Sequence, residues 1–135
     1  MTHYLRHQYQ LLQLSLKIVA FSIEKETWAE INDEVNMKIY QEKINDVEYQ
    51  KELYLNNLLR SLHKTEINEY NAVEIKKTYD LIEQYSSSLH SQLFKAHLNR
   101  TIEKHQKKYG DCILRNQLKK AYEIEKTISE LERVA

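Results

Sequence analysis

Proline is missing from this chain of 135 residues, and glycine appears once, at Gly110. The two strongest helix breakers are therefore almost absent, which excludes a turn-rich β fold and leaves long helices as the natural solution. A single cysteine, Cys112, excludes an internal disulfide and suits a reducing compartment. The longest apolar run, Ile18 to Phe21, is far too short to cross a bilayer, so no membrane insertion is expected. No small-residue cleavage site follows His3, Arg6 and His7, so the chain is expected to stay cytoplasmic. Net charge is also lacking: 20 basic residues face 20 acidic ones, and global electrostatics single out no partner class.

What remains is a helical pattern expected to fold as one domain over 1–135, an all-α antiparallel bundle of about four helices. Leu5, Leu12, Leu16, Val19 and Ile23 recur at helical spacing and predict a first helix over about 4–25, with these residues inward. Thr27 followed by Glu30 resembles a capping box and predicts the start of a second helix. Its buried stripe would be Trp28, Ile31, Val35 and Ile39, then Val47, Leu55, Leu58 and Leu62. Because the stripe loses phase near Asn45, 28–64 can be one bent helix or two shorter ones. Asn71 and Glu74 mark a further start. From there Ile75, Tyr79, Ile82, Ser86, Leu89, Leu93 and Ala96 step by four and three without a slip, the seam of a coiled coil. The expectation is a long third helix over 71–108, roughly 55 Å at the usual rise. A short C-terminal helix would follow the break at Gly110, running over about 113–133.

On that long third helix, Phe94, Leu98, Ile102 and Tyr109 lie opposite the main seam. Two apolar faces need two covers. Gly110 is the natural hinge, since glycine can reverse the chain at a helix end. The last helix could then fold back and set Leu118, Ala121 and Tyr122 over Ile102 and Leu98. Two readings follow: a movable gate over a partner-binding face, or a fixed bundle member. A homodimer through the same face is the third.

Catalysis finds little support. The chain has no glycine-rich phosphate loop, no Cys-x-x-Cys and no Glu-x-x-His pair. His3 and His7 stand four apart with no third ligand in sequence, and His90, His97 and Cys112 are scattered. No enzyme activity, metal or cofactor is expected. Charge is uneven, however: from Lys95 to Lys120 there are eight basic residues against two acids, and from Glu24 to Glu52 nine acids against four bases. Without a helix-turn-helix signature or net positive charge, a protein partner is favoured over direct nucleic-acid contact.

Three stretches taken in order resemble one known family. "ETWAEINDEV" resembles the start of its second helix, "IKKTYDLIEQYSSSLHSQLFKAHL" its long third helix, and "GDCILRNQLKKAY" its junction with the last helix. On these, covering about a third of the chain, the sequence is similar to the FliT family of flagellar type III export chaperones. The resemblance implies a cytoplasmic chaperone in bacterial flagellum biogenesis that binds the C-terminal region of the filament-cap protein and delivers it to the export ATPase complex. It also implies a role in transcription regulation, by restraint of the flagellar master transcription activator, and a last helix that occludes partner sites. The alternative is a regulatory or structural coiled-coil protein forming a permanent oligomer.

Overall fold

The computed structural model describes residues 3–86 and 91–134, with the side chains of 91 and 92 excepted. The described residues are all-α, in five helices: α1 His3–Glu30, α2 Glu34–Lys64, α3 Ala72–Tyr85, α4 Ser91–Leu114 and α5 Leu118–Glu132. The chain divides into two compact units, Met1–Leu58 and Leu59–Ala135.

With glycine so scarce, asparagine supplies the sharp reversals. Asn32 (φ 56°) and Asn116 (φ 55°) both sit in the left-handed region. At the first, the Asn32 N–H donates to the Ala29 carbonyl and the Asp33 N–H to the Trp28 carbonyl, each at 3.1 Å. At the second, the Asn116 N–H reaches Ile113 at 3.2 Å and the Gln117 N–H reaches Cys112 at 2.8 Å. This is the paired bonding that satisfies the last carbonyls of a helix, and asparagine tolerates the required φ better than other residues with a Cβ.

Two sequence expectations fail at these turns. Thr27 does not cap α2: it lies inside α1, where its hydroxyl donates to the Ile23 carbonyl at 3.0 Å. The cap is Asp33, whose Oδ1 accepts the Asn36 N–H at 3.1 Å, a bond that also lowers the Asp33 pKa. Nor is Gly110 a hinge. It continues α4 without a positive φ, and the chain reverses at Asn116 instead.

The long third helix is likewise two helices. α3 stops at Tyr85, and Ser86 is extended (φ −99°, ψ 149°). Three serines follow Tyr85 in sequence, and serine competes for its own backbone groups rather than favouring a helix interior. Leu89 of the expected seam lies outside the described residues. By contrast, of the span 28–64, expected as one bent helix or two shorter ones, 34–64 forms one helix and 28–30 ends α1. Asn71 does precede α3, yet its side chain does not cap the helix. It braces the preceding loop, where Oδ1 accepts the Asn68 N–H at 2.7 Å and Nδ2 donates to the Glu66 carbonyl at 3.0 Å.

In the first unit α1 and α2 run antiparallel, bridged by large side chains. Phe21 meets Tyr40 with ring centroids 6.2 Å apart, and the Lys43 ammonium stands 4.7 Å from the Tyr40 centroid. At the far end Tyr54 Oη and His7 Nδ1 are 2.6 Å apart. In the second unit α4 and α5 form a closely packed antiparallel hairpin, with α3 against α4. Its core holds Ile67, Ile75, Tyr79, Ile82, Phe94, Leu98, Ala121 and Leu131, all nearly or fully buried. The Lys76 ammonium donates to the Val134 carbonyl at 3.1 Å, tying α3 to the end of the chain.

Candidate protein-binding surface

A helix with two apolar faces does exist, but it is α1. Its inward face runs Tyr4, His7, Leu11, Leu14, Ile18, Phe21, Lys25, Trp28, at alternating steps of three and four. Leu11 is fully buried and the others are half-buried. The opposite face runs Leu5, Tyr9, Leu12, Leu16, Val19, Ile23, and these remain between 44 and 59% exposed. The expectation that Leu5, Leu12, Leu16, Val19 and Ile23 form the core stripe is therefore reversed. Two regular stripes compete for one partner helix, and the stripe carrying Leu11, Phe21 and Trp28 faces inward. The second expected stripe divides: its N-terminal part, Ile31, Val35 and Ile39, lies outside, and its C-terminal part, Val47, Leu55, Leu58 and Leu62, is buried as expected. Ile44 is buried too.

From Tyr9 to Ile23 the exposed stripe offers on the order of 500 Å² of apolar surface, within the range where a patch on a monomer marks a contact. Its flanks carry little charge. Between residues 3 and 23 the only Lys, Arg, Asp or Glu residues are Arg6 and Lys17, with Gln8, Gln13 and Ala20 beside the stripe. A helix of this kind is poorly hydrated on its outer side.

The residues expected to bind a partner lie elsewhere. Phe94, Leu98 and Ile102 are buried within the second unit, and Tyr109 is half-buried, so the face is covered in this structure. Of the expected gate, Ala121 is buried at 2% exposure, whereas Leu118 and Tyr122 point outward at 65 and 70%. The register explains why. With the reversal at Asn116, Ile102 lies on the order of 20 Å along α4 from the turn, while Leu118 begins α5 beside it. Leu118, Ala121 and Tyr122 therefore cannot cover Ile102 and Leu98. α5 docks instead through Ala121, Ile124, Ile128 and Leu131.

Among the described residues no three of His, Cys, Asp or Glu gather closely enough to hold a metal ion. His7 is engaged by Tyr54, and His90 lies outside the described residues. Cys112 is buried and sits fifteen positions beyond His97 on α4. His97 itself is buried, with Nδ1 3.0 Å from the Tyr79 hydroxyl and a hydrogen bond to the Thr65 backbone. The Thr65 backbone bond favours a proton on the ring, while the Tyr79 hydroxyl can pair with Nδ1 as donor or as acceptor. Burial lowers the His97 pKa, and the positive charges of Arg100, His63 and Lys104 push it the same way.

No helix among the described residues is long and apolar enough to cross a membrane. Compared with family models, with curated proteins and with solved structures, the chain matches none.

Proposed function

We propose that this chain is a helix-binding protein with no enzymatic role, and that it acts as an export chaperone of the flagellar kind. The observation that carries the reading is the exposed stripe Tyr9, Leu12, Leu16, Val19, Ile23. Its spacing of three and four is the complement of an amphipathic client helix, which would seat its own apolar face between these side chains. The sequence resemblance supplies the client: the C-terminal region of the filament-cap protein, handed on to the export ATPase complex in the cytoplasm. Restraint of the flagellar master transcription activator would use the same surface. The binding site thus moves from α4, where the sequence suggested it, to α1. A displaceable α5 is not part of this reading, because Ala121 and Leu131 belong to the core.

The test is binding of a fluorescent peptide from the filament-cap C-terminal region, followed by anisotropy. Leu12→Glu with Leu16→Glu should weaken binding at least tenfold while leaving helicity and melting temperature within a few degrees of the parent, because both residues are exposed. Equal binding by the double variant would remove α1 as the site. Equal binding of an unrelated amphipathic helix would keep the site and remove the flagellar client.

One observation favours a second reading. The unbroken four-three alternation from Leu5 to Ile23 is also the seam of a permanent coiled-coil oligomer. Light scattering over a dilution series separates the two, since a permanent oligomer keeps its mass at low concentration.

A further inference from the structure

A second feature of the chain lies wholly in the unit of residues 59–135 and is independent of the α1 surface. A cleft of about 350 Å³ opens between the end of α2 and α4, lined by His63, Thr65, His97, Arg100, Thr101 and Lys104. Helical spacing explains the α4 wall, since His97, Arg100, Thr101 and Lys104 are three and four apart and share one side. The lining contains no carboxylate, and among the described residues neither Arg100 nor Lys104 makes an ion pair. The stretch that supplies this wall is itself basic, with eight basic residues against two acids between Lys95 and Lys120. The field these groups make is felt by the buried ring beside them. Arg100, His63 and Lys104 each oppose a proton on His97, and no anion offsets them there.

We propose that this cleft is an anion site that takes the phosphoryl group of a small phosphate-bearing molecule. Arg100 presents a planar fork suited to two phosphate oxygens, and Lys104, one turn along, adds a point charge. His63 faces them from α2, its ring 6.2 Å from that of His97. His97 has both nitrogens occupied and forms the wall rather than a ligand. The carbonyl end of α2 opposes an anion, yet a helix terminus carries only about half a charge. Two full positive charges on α4 outweigh it. A metal cation is disfavoured by the same lining. The volume of about 350 Å³ suits a small molecule.

The intact protein is titrated with inorganic phosphate, and separately with adenosine monophosphate, at ionic strength held constant with sodium chloride. The ring resonances of His63 and His97 report occupancy by NMR. Saturable shifts with either probe are expected. Arg100→Gln and Lys104→Gln should each raise the dissociation constant about tenfold, the loss of one charge-assisted contact. Lys107→Gln, on the same helix but outside the cleft, should leave it unchanged. Arg100→Lys should recover part of the loss. Shifts that sodium chloride reproduces would overturn the site, as would equal weakening by Lys107→Gln and Arg100→Gln. The three glutamine variants place a good helix former at an exposed position, so folding is retained and is checked by circular dichroism.

Discussion

Two asparagines and one glycine carry the local logic of this chain. Asn32 and Asn116 hold φ values of 56 and 55°, where glycine would ordinarily stand, while the sole glycine sits in a helix interior that has no need of it. A methyl group at Gly110 would meet nothing within 4 Å. Gly110→Ala should therefore stabilise the protein by about 0.5–1 kcal/mol, through lower entropy of the unfolded chain and better helix propensity. Asn116→Ala should cost about 1 kcal/mol by forcing a Cβ-bearing residue without a polar side chain into the left-handed region. Chemical denaturation of the two variants checks both signs, and the sequence reading of Gly110 as a hinge predicts the opposite order. His97 adds a pH dependence. Its folded pKa lies below the ordinary 6.5, so the unfolded chain binds the extra proton first. Stability is full above about pH 6.5 and falls as pH drops from there through the folded pKa. His97→Gln should flatten that slope in denaturation curves taken between neutral and mildly acidic pH.

At the scale of the element, most helices were legible in the sequence and most faces were not. Periodicity located α1, α2 and the start of α3, because apolar spacing of three and four is enforced wherever a helix packs. It could not rank two stripes on one helix. On α1 the more uniformly aliphatic stripe, Leu5 to Ile23, lies outside. The stripe with His7, Phe21 and Lys25 lies inside, because its long side chains reach Tyr54, Tyr40 and Gln41 across the hairpin. Polar atoms with matched partners can be buried; no count of apolar residues registers that match. The α3–α4 break was missed for a related reason. The heptad runs through it without a slip, and the run of serines, not the seam, marks where the helix ends. The expected partner face on α4 is apolar and covered, and α5 does pack on α4, though Leu118 and Tyr122 of the expected gate point outward.

For the molecule as a whole, the all-α class was readable from composition alone, since a chain without proline and with one glycine has few other options. The function was not. The basic excess between Lys95 and Lys120 is visible in the sequence, but the cleft itself forms only where the end of α2 meets α4. The division into two compact units was equally hidden, because the one loss of phase in the α2 pattern falls near Asn45 and nothing in it marks a boundary at Leu58.

The outward stripe of α1 also carries a practical consequence. Dyes such as anilinonaphthalene sulfonate brighten on greasy surface and are commonly taken to signal a loosened, molten interior. Here the fully native protein should already light up, and the glow should fade when Leu12→Glu and Leu16→Glu are introduced, with near-ultraviolet dichroism unaltered. Unchanged fluorescence in that variant would place the dye elsewhere.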